Sequence, residues 1–142
     1  MQVQQIMHKG AAIADPNMTI RDAARSMRAD NIGALPVGEN DRLIGMVTDR
    51  DIVMRAVAED RSAGNTTVRE VMSDKVFYCF EDETDERAAQ IMAEHQVRRL
   101  PVLNRDKRLV GVVALADLGR SSDKAAKQAL AGVSEPTDQP RR

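Results

Sequence analysis

Apolar residues recur along this chain at two spacings, one typical of helices and one typical of strands. After Thr19 and Thr84, small or apolar residues return every three or four positions, which predicts helices with one buried face. Short apolar runs bounded by polar turns predict strands. The predicted strands lie at 34–37, 43–48, 100–103 and 109–114, with further extended segments at 11–13 and 76–80. Final helices should begin near Asp49 and Leu115, so each half of the chain is predicted to be a β-α-β-β-α unit.

The chain carries the same pattern twice. A shift of 65 positions places Leu35-Pro36-Val37 on Leu100-Pro101-Val102, and a shift of 66, after one inserted residue, places Gly45 on Gly111. A period this long, present only twice, is unlike a solenoid, which needs at least three units to form a stable core. We therefore predict a paired module. Its parts are repeat 1 (1–58), a polar linker (59–66), repeat 2 (67–120) and a tail (121–142), with a short helix at 123–130 and a disordered end at 134–142.

Each repeat opens with a short helical turn, predicted at 3–7 and 68–72. Thr67 precedes the second of these turns, and Glu70 follows three positions later. This spacing allows the hydroxyl and the carboxylate each to accept a hydrogen bond from the other residue's backbone N–H.

The charge balance argues against several function classes. With 21 basic and 22 acidic residues the net charge is −1, so the overall field favours neither nucleic acid nor an anionic membrane.

The apolar runs are far shorter than the roughly 18 residues of a membrane span, and the first residues lack the features of a signal peptide. Cys79, the single cysteine, cannot form an internal disulfide, which agrees with a reducing compartment. We therefore expect a cytoplasmic protein.

The densest functional signal is the run Gly45-Met46-Val47-Thr48-Asp49-Arg50-Asp51-Ile52, where an apolar strand ends and a helix begins. Thr48 and Asp51 stand three positions apart, which brings a hydroxyl and a carboxylate to one rim beside unpaired backbone N–H groups. A carboxylate can accept both hydroxyls of a ribose, and the hydroxyl and amides suit a phosphate. The alternative is that Thr48 or Asp49 only caps the helix and Asp51 adds negative charge to its first turn. The run alone favours capping, whereas the recurrence of Asp51 as Asp117 favours a ligand site.

With these marks the chain resembles the cystathionine-β-synthase (CBS) domain family, whose paired repeats form a Bateman module. The marks are the two Leu-Pro-Val runs and the run from Gly45 to Asp51, in which Thr48 stands three positions before Asp51. The resemblance covers about residues 1–120. It implies a mixed α/β (α+β) fold of two βαββα repeats, packed sheet to sheet with pseudo-twofold symmetry. It further implies two clefts able to hold an adenosine-containing ligand, and assembly into a homodimer.

Carried over residue by residue, the resemblance implies a first cleft in which Asp51 binds a ribose and Thr48 lies near the α-phosphate. The other repeat would complete it, with Phe77 beside the base and Arg98 and Arg99 near the phosphates. Guanidinium groups match phosphate geometry, while the alternative for this pair is a solvated face after a helix. The full predicted set is Met46, Val47, Thr48, Arg50, Asp51, Phe77, Arg98 and Arg99.

The second cleft is predicted to be weak, limited to base and ribose, or empty. Asp117 is retained, but Ala114 replaces the Thr, and Gly33-Ala34 stands where the first cleft has its Arg pair. Arg50 is the candidate phosphate contact there. The predicted set is Ala12, Gly33, Val112, Ala114 and Asp117.

Other candidate features receive a structural interpretation. The aromatic residues Phe77, Tyr78 and Phe80 are interpreted mainly as core or dimer packing, with Phe77 also able to stack on or obstruct a purine. His8 and His95 stand apart, without a carboxylate or cysteine at ligand spacing, so we predict no metal site. The eight methionines are interpreted as adaptable packing. The sequence contains no nucleophile-base motif and no P-loop, so we predict no catalytic residues.

The leading hypothesis is a non-catalytic regulatory module for energy sensing. AMP, ADP or ATP would bind between the repeats and change their angle or the dimer geometry, which a regulated partner protein would read. S-adenosylmethionine is an alternative ligand that needs no phosphate site. The alternative function is a ligand-free CBS dimer that acts as a protein-interaction scaffold. An enzyme is the least favoured of the three hypotheses, because the two repeats occupy residues 1–120 and the tail is too short for a catalytic domain.

Overall fold

The computed structural model of the protein describes residues 1–118. The helix predicted at 123–130 and the disordered end predicted at 134–142 lie outside the described residues. The described residues form two compact units, one made of residues 12–76 and the other of residues 1–11 and 77–118. We call the first the Asp51 unit and the second the Asp117 unit, after the aspartate of the signature run that each contains.

The Asp51 unit is built on a two-stranded antiparallel hairpin. Its elements are α1 (Ile20–Asp30), β1 (Ala34–Glu39), β2 (Arg42–Thr48), α2 (Asp49–Ile52), a π-helical turn (Val53–Val57) and α3 (Val68–Val71). Leu35 of β1 lies opposite Val47 of β2. Asn40 and Asp41 turn the chain between the strands with φ of 53° and 62°, and this conformation matches the twist of a hairpin.

The Asp117 unit contains a three-stranded mixed sheet in the order β3-β4-β5. Its elements are a 3₁₀ turn (Val3–Gln5), β3 (Cys79–Phe80), α4 (Asp85–His95), β4 (Arg99–Leu103), β5 (Leu109–Ala114) and α5 (Leu115–Leu118). The strands β3 and β4 are parallel, and β4 and β5 are antiparallel, with Leu100 opposite Val113. None of the helices in the described part of the chain has the length and apolar character that a bilayer span requires.

The helices predicted after Thr19 and Thr84 are confirmed as α1 and α4. Each threonine caps its helix, since Oγ1 accepts a hydrogen bond from the backbone N–H three residues later, at 3.2 Å in both cases. Each helix ends at a residue in the left-handed conformation, Asn31 at φ 52° and Gln96 at φ 54°. The two repeats therefore use the same start and stop signals for their longest helix.

The opening strand predicted in each repeat is shorter than expected. In the Asp51 unit the segment 11–13 forms no strand, and pairing is limited to a single parallel bridge from Ala14 to Val37. Asp15 and Pro16 follow at once: the Asp15 carboxylate accepts a hydrogen bond from the N–H of Asn17 at 2.8 Å, and proline has no N–H to donate. This turn ends the pairing. In the Asp117 unit the predicted segment 76–80 is reduced to β3.

Each repeat's opening turn packs in the compact unit that holds the other repeat's signature. Val3 is wholly buried in the core of the Asp117 unit, the same buried cluster that contains Leu100 and Val113. In the same way, Val68 and Val71 of α3 are wholly buried in the core of the Asp51 unit. The capping arrangement predicted before α3 is present, since the N–H of Thr67 donates to Oε2 of Glu70 at 2.7 Å.

Candidate functional site

The turn between β2 and α2 brings Thr48 and Asp51 together in the Asp51 unit. The N–H of Asp51 donates to Oγ1 of Thr48 at 3.0 Å, and the N–H of Thr48 donates to Oδ2 of Asp51 at 2.9 Å. Both residues are almost fully buried, with 5% and 6% of their surface exposed. Thr48 and Asp51 therefore cap the helix, as the structural interpretation predicted, and this cap fixes the orientation of the Asp51 carboxylate.

The cap uses only one oxygen of the Asp51 carboxylate. Among residues 1–118, Oδ1 of Asp51 has no hydrogen-bond partner. In that same part of the chain, every fully buried side-chain oxygen or nitrogen does have a partner. Oδ1 therefore keeps some exposed surface, and a carboxylate oxygen without a protein partner can accept a hydrogen bond from a hydroxyl group.

Gly45 allows the segment after α3 to approach the signature strand closely. Met46 and Ser73 exchange two backbone hydrogen bonds, both of 2.9 Å. A Cβ atom on Gly45 would lie 2.6 Å from the carbonyl oxygen of Ser73, a distance that real Cβ atoms do not tolerate. The glycine of the signature is thus explained by backbone packing.

The other residues predicted for ligand binding in this unit differ in their exposure. Arg50 is exposed in the first turn of α2, and Met46 is half-buried. Val47 is wholly buried in the core, and Ala12 packs against the same core. The carbonyl of Gly33 accepts a hydrogen bond from the N–H of Asp49 at 2.9 Å, which ties the start of β1 to the start of α2.

The signature turn of the Asp117 unit has the same cap without the hydroxyl. The N–H of Ala114 donates to Oδ2 of Asp117 at 2.7 Å, and Asp117 is 2% exposed. In this unit the second carboxylate oxygen is also occupied, because Nε2 of His8 lies 2.8 Å from Oδ1 of Asp117. His8 therefore contacts a carboxylate that no ligand spacing in the sequence indicated.

His8 reaches Asp117 through the segment that follows the opening turn of the chain, and sequence spacing does not reveal this contact. His8 and Asp117 are 109 positions apart. His8 reaches the signature because its backbone exchanges two hydrogen bonds with Val112, of 2.8 and 3.1 Å, the same pairing that Ser73 makes with Met46. The 65-position shift does place His8 on Ser73, so the repeat contains a signal that could have drawn attention to this residue.

The residues predicted to complete the first cleft lie in the Asp117 unit. Arg99 begins β4 opposite Ala114, and the carbonyl of Arg98 accepts a hydrogen bond from the N–H of Leu115 at 2.8 Å. Both arginines are exposed, and within residues 1–118 neither guanidinium has an ion-pair partner. Phe77 is 37% exposed and stacks on His95 with ring centroids 3.8 Å apart.

The family is decided by a comparison with known protein families. The model of the CBS domain matches residues 3–58 and 68–122 of this chain. The chain belongs to the CBS domain family. The CBS domain-containing protein YhcV of Bacillus subtilis is 43% identical to this CBS domain pair over 134 residues, which cover 93% of this chain and 94% of that protein. Hypoxic response protein 1 of Mycobacterium tuberculosis is 40% identical over 118 residues, which cover 82% of each chain.

Solved structures support the same assignment. The crystal structure of Hypoxic Response Protein I with two coordinated zinc ions matches this CBS domain pair with a TM-score of 0.76 and 37% identity, over 86% of this chain and 99% of that one. The CBS domain pair of protein MJ0100, in complex with 5′-methylthioadenosine and S-adenosyl-L-methionine, matches with a TM-score of 0.70 and 30% identity, over 84% and 94% of the two chains. The predicted family and the mixed α/β fold class are thus confirmed.

Cys79 offers little chemistry to this CBS domain pair. It is wholly buried in β3, where burial raises the pKa of its thiol to about 12. The thiol therefore stays protonated at neutral pH and is a poor nucleophile and metal ligand. Residues 1–118 contain no group of three or more His, Cys, Asp or Glu side chains placed to hold a metal ion.

Proposed function

We propose that this CBS domain pair is a non-catalytic regulatory module that binds an adenosine-containing ligand at the Asp51 signature. The ligand is AMP, ADP or ATP, with S-adenosylmethionine as the alternative. Binding changes the conformation of the pair or of a homodimer, and a regulated protein in the cytoplasm reads the change. The observation that carries the proposal is the Asp51 carboxylate, which the helix cap holds in place with Oδ1 open.

Asp51 suits a ribose because its carboxylate is both preorganised and incompletely used. Ribose hydroxyls are hydrogen-bond donors, and an ionised carboxylate is a pure acceptor. The reciprocal cap with Thr48 holds the side chain before any ligand arrives, so binding costs little side-chain entropy. The adenosine compounds bound by the CBS domain pair of MJ0100 support a ligand of this class on a similar fold.

Arg98 and Arg99 favour a ligand that carries phosphate. Two exposed guanidinium groups on adjacent residues, without ion-pair partners in residues 1–118, are available to an anion. Bonds between guanidinium and phosphate are charge-assisted and geometrically specific. A phosphate-bearing adenine nucleotide uses these groups, whereas S-adenosylmethionine does not need them.

The test is isothermal titration of the full chain with AMP, ADP, ATP and S-adenosylmethionine. We expect saturable binding near one ligand per chain, and we expect the Asp51→Asn variant to lose it. Asparagine keeps an oxygen for the N–H of Thr48 and removes the negative charge, so the cap and the fold should persist. Asp117→Asn is the matched control in the other unit and should bind like the parent. Equal binding by the parent and Asp51→Asn would refute the assignment of the site.

Arg99→Ala separates the candidate ligands. Loss of a charge-assisted phosphate contact should weaken the binding of AMP, ADP or ATP by about tenfold or more, and leave S-adenosylmethionine unaffected. The nucleotides should also be recovered intact after prolonged incubation with the protein. Their breakdown would show an enzyme instead of a binding module.

A ligand-free scaffold is the second candidate function. It is favoured by the caps themselves, since Thr48 and Asp51 already have a structural role without any ligand. Sedimentation measurements of the folded protein should show a homodimer under either proposal. Absence of heat and of a thermal shift with all four ligands would favour the scaffold.

A further inference from the structure

We propose that His8 closes the second ligand position of this CBS domain pair, so that Asp117 is withheld from a ribose while Asp51 is available. The inference rests on the proposed function and concerns which of the two signatures accepts the ligand. It starts from the 2.8 Å contact between Nε2 of His8 and Oδ1 of Asp117.

The two carboxylates differ in how many of their oxygens are already bonded. Oδ2 of Asp117 accepts from the N–H of Ala114 at 2.7 Å, and Oδ1 accepts from the imidazole of His8. In Asp51 only Oδ2 is used among residues 1–118. A ribose that approaches Asp117 must therefore displace the hydrogen bond from His8, while a ribose at Asp51 meets an oxygen that no described residue occupies.

The counterpart of His8 leaves the Asp51 carboxylate alone. Ser73 has the same backbone pairing to the signature strand as His8, but its hydroxyl accepts a hydrogen bond from the N–H of Lys75 at 3.2 Å. Ser73 also lines an open cavity of about 510 Å³ in the Asp51 unit. The other residues lining that cavity are Arg55, Arg69, Met72, Asp74 and Lys75. The short side chain at this position thus makes no bond to the aspartate of its unit, whereas the longer His8 reaches Asp117.

The side chain at this position can be changed without loss of the backbone contacts that hold the segment. His8 and Val112 pair through N–H and carbonyl groups only, with bonds of 2.8 and 3.1 Å. The same holds for Ser73 and Met46. The two residues can therefore be exchanged between the repeats, one at a time, as matched variants.

The experiment titrates the parent, His8→Ser and Ser73→His with AMP, ADP, ATP and S-adenosylmethionine. We expect the parent to bind one ligand per chain and His8→Ser to gain a second binding event. Ser73→His should weaken the first event by about tenfold to hundredfold, the range for competing with a hydrogen bond to a charged group. In His8→Ser, addition of Asp51→Asn should leave only the new event, and addition of Asp117→Asn should remove it.

A measurement without ligand tests the contact itself. In ¹⁵N NMR spectra of the imidazole groups, the His8 signals should move in Asp117→Asn and stay in place in Asp51→Asn. Signals that are unchanged in both variants would overturn the proposed contact.

The titrations separate this inference from the proposed function. Two binding events in the parent, or one event in both the parent and His8→Ser, would overturn the role of His8 and leave a nucleotide-binding protein. No event in the parent and one in His8→Ser would support the role of His8 and refute binding at Asp51. No binding by any of the variants would overturn both.

Discussion

The β2–α2 turn of the Asp51 unit and the β5–α5 turn of the Asp117 unit share one backbone design. In each, an aspartate accepts a hydrogen bond from the N–H three residues earlier, at 2.9 Å from Thr48 and 2.7 Å from Ala114. They differ in the second carboxylate oxygen, Oδ1. In Asp51 it has no partner among residues 1–118, and in Asp117 it is bonded to His8. The signature therefore determines the position of the carboxylate, and a segment distant in sequence determines whether its second oxygen is already bonded.

The largest expected difference between the two units comes from a core substitution made in one unit at a time. Leu35 and Leu100 are almost fully buried, each in the core of its own unit. Leu35→Ala and Leu100→Ala should each lower the free energy of unfolding by about 2–5 kcal/mol, through lost burial and the cavity left behind. Urea unfolding measures the loss.

Hydrogen exchange then shows where each leucine variant is destabilised. We expect Leu35→Ala to speed exchange mainly in residues 12–76, and Leu100→Ala mainly in the Asp117 unit. Uniform acceleration in both variants would mean that the two turns share one cooperative core.

A smaller effect is expected from the signature glycines. A Cβ atom on Gly45 would lie 2.6 Å from the carbonyl oxygen of Ser73, whereas one on Gly111 would lie 3.0 Å from that of His8. Gly45→Ala should therefore cost about 1–3 kcal/mol, typical of overpacking, and Gly111→Ala should cost less. Thermal unfolding of the two variants side by side gives the ranking. Equal losses would show that the two backbone approaches are equally tight.

The hydroxyl that distinguishes the two caps can be exchanged. Thr48→Ala removes the acceptor for the N–H of Asp51 and should cost about 0.5–2 kcal/mol, as for other helix N-caps. Ala114→Thr supplies an acceptor at the start of α5 and should stabilise the Asp117 unit by a smaller amount. Chemical denaturation measures both. A loss of stability in Ala114→Thr would indicate that the second turn cannot place a hydroxyl.

The sequence was sufficient for features encoded locally. The capping threonines Thr19 and Thr84 predicted the starts of α1 and α4, and the repeat with its signature predicted the family and the fold class. The opening strand of repeat 1 was over-predicted, because the turn at Asp15-Pro16 limits its pairing to Ala14.

The candidate site was predictable only in part. Thr48 and Asp51 meet because a residue at the start of a helix and the residue three positions later commonly cap each other. His8 was missed because its partner Asp117 lies 109 positions away, and no local spacing reports a contact made through the opening turn of the chain.

The smallest expected effect compares one surface charge group in each unit. In the Asp51 unit, the backbone N–H of Thr67 and the guanidinium of Arg61 lower the pKa of Glu70. In the Asp117 unit, the guanidinium of Arg105 lowers the pKa of Asp82, with hydrogen bonds of 3.1 and 2.9 Å from Nε to its two carboxylate oxygens. A lowered folded-state pKa means that the unfolded chain binds more protons on acidification, so the stabilisation is present above the unfolded pKa and is lost as pH falls through the folded pKa.

Glu70→Gln and Asp82→Asn should each flatten the acid limb of the stability profile slightly, because both groups are exposed. Salt should separate them. It screens the Arg105 contribution to Asp82, whereas the short hydrogen bond from the N–H of Thr67 to Glu70, at 2.7 Å, does not depend on a mobile cation. In urea titrations between acidic and neutral pH at low and high salt, the Asp82→Asn difference should shrink with salt and part of the Glu70→Gln difference should remain. The opposite order would mean that the Arg61 ion pair, and not the helix cap, stabilises the ionised form of Glu70.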